Sequence, residues 1–91
     1  MKRVVITGMG VVSPIGNSVE EFWSNIKANK HGFSYVDDIV SPDFDVRIAA
    51  RVKDFTPDKY IDKKEARRID RFTQFAVCAS LDALEDSGSD F

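Results

Sequence analysis

The stretch Val4-Val5-Ile6-Thr7, close to the start of the chain, limits the possible folds more than any other feature. The stretch is continuous rather than alternating, and continuous β-branched runs are typical of strands that are covered on both faces. Gly8 and Gly10 follow it directly and begin a glycine-punctuated loop that extends to Gly16. The pattern predicts a strand from Arg3 to Met9 inside a parallel or mixed sheet between helices.

A first helix is predicted immediately after the glycine loop. Asn17 or Ser18 can cap it, because a glutamate lies three residues after each of them, which is the spacing of a capping box. Gly32 is the expected C-terminal cap. The apolar residues at helical spacing are Val19, Phe22, Trp23 and Ile26.

The longest helical pattern runs from Lys63 to Ser87, with Asp70 as a residue at which a second helix can start. Its apolar face is wide and rich in alanine, which predicts that another backbone packs closely against it. Gly88 is expected to end the helix. Between the helical segments, 33–45 has the composition of a loop, whereas Val46–Val52 alternates and predicts a half-exposed strand.

The order strand, helix, strand, helix places the chain in the α/β or the α+β class. A strand covered on both faces needs more neighbours than one further strand supplies. The alanine-rich face of the last helix is also wider than the other predicted elements can cover. We therefore expect residues 1–91 to be the N-terminal portion of a larger protein.

The overall composition is that of a globular protein, with 43 % hydrophobic and 31 % charged residues. Thirteen basic and fifteen acidic side chains give a net charge of −2, which provides no reason to expect nucleic acid or an anionic membrane as a partner. The apolar run after Met1-Lys2-Arg3 is interrupted too early for a signal peptide, and no stretch approaches membrane-spanning length. The expected location is the cytoplasm.

Two residues that often carry chemistry occur once each. Cys78 lies in mid-helix among apolar neighbours, where nothing lowers its pKa, so a packing role is favoured over a nucleophilic one. A single cysteine also excludes a disulfide framework and a zinc site built on cysteines. His31 lies near a helix end without a second histidine. We expect neither a metal nor a cofactor.

The glycine loop has a nucleotide-binding alternative. A dinucleotide-binding fingerprint would need a glycine at the position of Ser13, and Pro14 has no N–H to offer a phosphate. A tight β-to-α connection is therefore favoured, and a small nucleotide-binding α/β domain remains the alternative.

A cluster of five cations is the clearest candidate for a binding surface. These residues are Lys63, Lys64, Arg67, Arg68 and Arg71. On one continuous helix, all except Lys63 would share a face. Such a face is either solvated or used to bind an anion or an acidic partner, and charge alone leaves both open.

The segment from Arg3 to Asn17 is similar to the start of the elongating, type II group of β-ketoacyl-acyl carrier protein synthases. The similarity continues through Phe22-Trp23, 51–55, 64–72 and 86–88. The resemblance implies a thiolase-like fold of two similar α/β halves, of which 1–91 would be an incomplete part of the first five-stranded half. It also implies a homodimer that condenses malonyl-acyl carrier protein, with loss of CO₂, with an acyl group held on a cysteine.

The same resemblance bears on the functional residues. The family's nucleophilic cysteine and two active-site histidines lie further along, and neither Cys78 nor His31 matches them, so no catalytic residue is expected here. Basic residues at the positions of Lys64, Arg67 and Arg68 are implied to dock the acidic acyl carrier protein. The alternative is a truncated, non-catalytic remnant that at most binds the carrier protein.

Overall fold

The computed structural model describes residues 2–35 and 47–88. Within these ranges the chain forms three helices and two short strands. The helices are α1 (Val19–Lys27), α2 (Lys63–Ala66) and α3 (Arg71–Ser87), and the strands are β1 (Phe33–Tyr35) and β2 (Ile48–Ala50). β1 and β2 pair antiparallel, with Phe33 opposite Ala50 and Tyr35 opposite Ile48.

The hairpin corrects one sequence prediction and confirms part of another. Phe33–Tyr35 was predicted as a loop, but these residues form β1 because β2 satisfies their backbone groups. β2 lies within the predicted strand Val46–Val52 and is shorter than it. Residues 36–46, which include the rest of the predicted loop, lie outside the described residues.

The predicted strand Arg3–Met9 is not formed within the described residues. No described strand lies beside it, so its backbone has no ladder partner there. Val4, Val5 and Ile6 are 94 %, 68 % and 83 % exposed, so neither face of this segment is covered by the described residues. The sequence pattern of a covered strand is present, but the cover is not among residues 2–35 and 47–88.

The segment after the β-branched run packs backbone to backbone against α3. A Cβ on Gly8 would meet Ala83 O and come within 2.6 Å of Ser87 N, and a Cβ on Gly10 would meet Ala79 O and come within 2.9 Å of Ala83 N. Moving two residues along the segment therefore moves the contact back by four helical residues, so the two run antiparallel. The prediction that a backbone packs closely on the alanine-rich face is confirmed, and glycine is required because any side chain would separate the two backbones.

Helix α1 begins as predicted and ends earlier than predicted. The Ser18 hydroxyl accepts a hydrogen bond from the Glu21 amide at 3.1 Å, which caps the helix. The helix ends at Lys27 with Ala28 as its C-cap residue, and Asn29 adopts the left-handed conformation with a φ of 60°. Gly32 is not the C-terminal cap. It is buried against Pro14, whose Cβ would lie 2.5 Å from a Cβ on Gly32.

The predicted break in the long helical pattern is confirmed. α2 ends at Ala66, Asp70 is the N-cap of α3, and Gly88 ends α3 with a φ of 69°. The core that these elements enclose is small: Ile61 and Cys78 are the buried hydrophobic residues of the described ranges.

Candidate functional site

The predicted docking residues surround the break between α2 and α3. Lys64 lies in α2, Arg67 is its C-cap residue, and Arg68 follows in the connection to α3. All three side chains are exposed. No ion pair holds any of them within residues 2–35 and 47–88. We refer to Lys64, Arg67 and Arg68 as the basic cluster. Its positive charges are available to interact with negative charges on a partner.

Arg71, which was predicted to share a face with the basic cluster on one continuous helix, makes contacts of its own with the protein. The continuous helix on which that prediction rested is broken between Arg67 and Asp70. Arg71 instead contacts the protein, since one guanidinium N–H donates to Val52 O at 3.4 Å. Its guanidinium also lies over the Phe75 ring, 5.2 Å from the centroid.

The segment from Asp62 to Ile69, which carries the basic cluster, is fixed at both ends. Asp62 caps α2 by accepting a hydrogen bond from the Glu65 amide at 2.8 Å. At the other end, the side-chain amide of Gln74 in α3 donates to Ala66 O at 2.9 Å and to Ile69 O at 3.3 Å. Gln74 was not among the predicted site residues, because a glutamine in the first turn of a helix gives no sequence signal that its side chain binds the end of the preceding helix.

Cys78 and His31 have the environments of structural residues. Cys78 is only 5 % exposed, and burial, together with the negative charge of Asp82, raises the pKa of its thiol. A thiol with a raised pKa is a poor nucleophile. The exposed His31 ring accepts a hydrogen bond at Nδ1 from the Phe33 amide at 3.2 Å and lies 5.9 Å from the Phe33 ring.

The glycine loop has the geometry of a packing element. Gly8 and Gly10 face the backbone of α3. At the start of α1, Ser18 caps the helix, and Glu20 and Glu21 place negative charge in its first turn. A phosphate would meet like charges there, so the geometry favours the tight connection over nucleotide binding.

A polar network joins the turn after Pro57 to the C-terminal half of α3. The Tyr60 hydroxyl lies 2.7 Å from Asp82 Oδ1 and 3.0 Å from Glu85 Oε2, and Lys59 Nζ lies 3.0 Å from the same Glu85 oxygen. The hydrogen bond to Asp82 and then burial raise the pKa of Tyr60 to about 12. The hydrogen bond from Lys59, followed by that from Tyr60, lowers the pKa of Glu85.

This network was also missed from the sequence. The two carboxylates lie three residues apart on one helix face, which is a visible signal. Their partners lie more than twenty residues earlier, and no local pattern links the two.

The described ranges contain no group of three His, Cys, Asp or Glu side chains placed to hold a metal ion. No helix within them combines the length and the apolar character needed to cross a membrane.

Comparison with known proteins identifies the family. The model of the β-ketoacyl synthase N-terminal domain matches residues 1–91. The chain belongs to this family. A 3-oxoacyl-(acyl-carrier-protein) synthase 2 of Staphylococcus aureus strain COL is 46 % identical over 89 residues, which cover 98 % of this chain and 22 % of that protein. The synthase 2 of a Synechocystis species is 41 % identical over 86 residues, which cover 94 % and 21 %.

The fold is confirmed by a solved ketosynthase. The ishigamide ketosynthase/chain length factor superposes with a TM-score of 0.82 at 34 % identity, over 98 % of this chain and 22 % of that one. The thiolase-like α/β architecture is therefore that of this β-ketoacyl synthase chain. The chain spans about a fifth of the length of the relatives it matches.

Proposed function

We propose that this chain forms the N-terminal part of a 3-oxoacyl-(acyl-carrier-protein) synthase that elongates fatty acids. In this reaction malonyl-acyl carrier protein loses CO₂, and the resulting carbanion attacks an acyl thioester on an enzyme cysteine, which leaves as the thiolate. The proposal rests on the match of the whole chain to the β-ketoacyl synthase N-terminal domain. Its named relatives are 3-oxoacyl synthases that use acyl carrier protein.

The proposed contribution of these 91 residues is structural support and carrier docking rather than chemistry. Cys78 lies in the middle of α3 and has a raised pKa, which suits packing. The single observation that carries the docking proposal is the basic cluster, whose three cations are exposed and without ion pairs within the described ranges. Opposite charge at such a surface accelerates the encounter with an acidic carrier protein. The whole enzyme is proposed to be a cytoplasmic homodimer.

A chimera tests the enzymatic part of the proposal. In it, this chain replaces the matched 89 residues of the Staphylococcus aureus synthase. We expect the chimera to form 3-oxoacyl-carrier protein from malonyl- and acyl-carrier protein. A folded, dimeric chimera without condensing activity would contradict the proposal, because the substituted segment supplies no catalytic group of its own.

Binding of fluorescently labelled acyl carrier protein to the same chimera tests the docking part. Lys64→Glu with Arg68→Glu should weaken binding about tenfold at low salt, because two attractions become repulsions. The matched control is Lys27→Glu with Lys30→Glu, an equal change of charge at the end of α1. If both pairs of substitutions weaken carrier binding equally, the effect comes from net charge alone. If Lys64→Glu with Arg68→Glu does not weaken binding, docking at the basic cluster is excluded.

A further inference from the structure

The basic cluster lies on a segment whose conformation depends on contacts with the rest of the chain. α2 has only four residues, and so short a helix is not stable in isolation. Arg67 is its last residue in helical geometry, and Arg68 belongs to the connection that follows. The positions of these two guanidinium groups therefore depend on contacts made by the backbone beneath them.

Gln74 makes the contact that fixes this backbone at its C-terminal side. The carbonyl of Ala66 lies at the end of α2, where carbonyls have no later helical amide to accept from. The half-buried Gln74 side chain donates to this carbonyl at 2.9 Å and to Ile69 O at 3.3 Å. One side chain thus joins the two ends of the turn that bears Arg67 and Arg68.

The chemistry of an amide suits this position better than that of a charged side chain. Glutamine carries two N–H donors on one nitrogen, enough for both carbonyls. A glutamate could donate to neither when ionised, and its charge would attract the cations that are needed outside. A lysine or arginine would add a further charge behind the cluster. The neutral amide fixes the turn and leaves the charges available.

We infer that Gln74 is a positioning residue for carrier-protein docking: it holds the turn from Ala66 to Ile69 so that Arg67 and Arg68 present their charges in one arrangement. This inference rests on the proposed docking function of the basic cluster. Without the amide, the turn samples several conformations, and binding must then meet the cost of ordering it.

The test compares Gln74→Met with the parent chimera in the carrier-binding assay. Methionine keeps the length of the side chain and removes both donors. We expect affinity for acyl carrier protein to fall roughly fivefold. Hydrogen exchange of the amides from Arg67 to Ile69 should become faster, while exchange in the middle of α3 stays unchanged.

Two further variants make the outcome decisive. Tyr60→Phe also removes a side-chain hydrogen-bond donor, one that bonds Asp82 in α3 rather than the turn from Ala66 to Ile69, and should leave carrier affinity unchanged. If Gln74→Met lowers affinity no more than Tyr60→Phe, the role of Gln74 is only structural and the inference is wrong. If Lys64→Glu with Arg68→Glu has no effect, docking at the cluster fails instead. If only that charge pair weakens binding, docking stands and the inference about Gln74 fails.

Discussion

The backbone amide of Met9 donates a hydrogen bond to Oδ2 of Asp86 at 3.0 Å, across 77 residues of sequence. Met9 lies between the two glycines that contact α3, and Asp86 lies in the last turn of that helix. A carboxylate at a helix C-terminus is electrostatically unfavourable, so its presence there needs a specific partner. The bond fixes the direction and register in which the N-terminal segment lies along α3.

Asp86→Ala should therefore have two opposing effects on the free energy of unfolding. Loss of the bond costs about 1 kcal/mol, and removal of negative charge from the helix end returns about 0.5 kcal/mol. Asp86→Asn tests the balance, because the amide oxygen can still accept from Met9 without the charge. In urea unfolding, the free energy of unfolding of Asp86→Asn should equal or exceed that of the parent, and that of Asp86→Ala should be lower. If Asp86→Ala were more stable than Asp86→Asn, the hydrogen bond to Met9 would contribute nothing.

Gly10→Ala should destabilise the chain through a steric clash. The new Cβ would meet Ala79 O and lie 2.9 Å from Ala83 N, and both are backbone atoms that cannot rotate away. Separating the segment from α3 should cost about 1–3 kcal/mol in urea unfolding.

Gly88 offers the matched control for this substitution. It has a φ of 69° and no neighbour within 4 Å of a Cβ, so Gly88→Ala strains the backbone without any clash. Gly88→Asn, which tolerates this φ, should restore most of the loss, whereas Gly10→Asn should be worse than Gly10→Ala. Rescue by asparagine at both positions would exclude the clash as the cause.

A structural feature could be predicted from the sequence where the residues that cause it lie close together in the chain. The start of α1 was predictable because Ser18 and Glu21, which form the capping bond, lie three residues apart. Asp70 was recognisable as the N-cap residue of α3 by its type and position, although its side chain makes no capping hydrogen bond. The alanine-rich face of α3 predicted that another backbone segment packs closely against it, but it did not identify that segment as the one containing Gly8 and Gly10. Those residues lie some seventy positions earlier, and no periodicity connects them to α3.

The failures have the same physical origin. A strand is defined by its partner, so Phe33–Tyr35 could not be recognised without knowing that Ile48–Ala50 lies beside it. Conversely, Val4–Ile6 has the pattern of a covered strand and is exposed, because the described residues hold no strand to cover it. In the candidate site, the cations were visible in the sequence, whereas Gln74, which holds the turn beneath them, was not.

The Tyr60 network predicts stability changes at both ends of the pH range. The pKa of Tyr60 is raised from 10.0 to about 12, so its contribution is complete below pH 10 and is lost as pH rises from 10 towards 12. The pKa of Glu85 is lowered from 4.5, so its contribution is complete above pH 4.5 and is lost as pH falls further. Tyr60→Phe should remove the alkaline loss attributable to the phenol.

Ultraviolet titration of tyrosinate checks this assignment directly. The parent should show an absorbance step near pH 12 that is absent from Tyr60→Phe. In Glu85→Gln the step should still occur above pH 10, because Asp82 is the nearer acceptor at 2.7 Å and the largest cause of the raised pKa of Tyr60. The chain has two tyrosines, so the difference between the parent and Tyr60→Phe isolates the Tyr60 phenol. If Tyr60→Phe removed an absorbance step near pH 10 instead, the network would be contradicted.

Cys78 should react slowly with thiol reagents in the folded chain. Its side chain is 5 % exposed and its pKa is raised, so both access and the thiolate fraction are reduced. With an aromatic disulfide reagent at pH 8, we expect the rate to be at least about a hundredfold below that in denaturant. Asp82→Asn should raise the rate modestly, since it removes a negative charge that disfavours the thiolate. Equal rates in both states would show that α3 does not bury the thiol.

Charge reversal in the basic cluster should separate binding from chemistry in the active chimera. Lys64→Glu with Arg68→Glu should raise KM for the carrier-borne substrate about tenfold at low salt, while kcat changes little, because neither residue contacts the reacting atoms in this proposal. The increase in KM should shrink as ionic strength rises and screens the repulsion. Lys27→Glu with Lys30→Glu serves as the control and should leave KM unchanged. A fall in kcat at constant KM would place these residues in the chemical step and contradict a docking role.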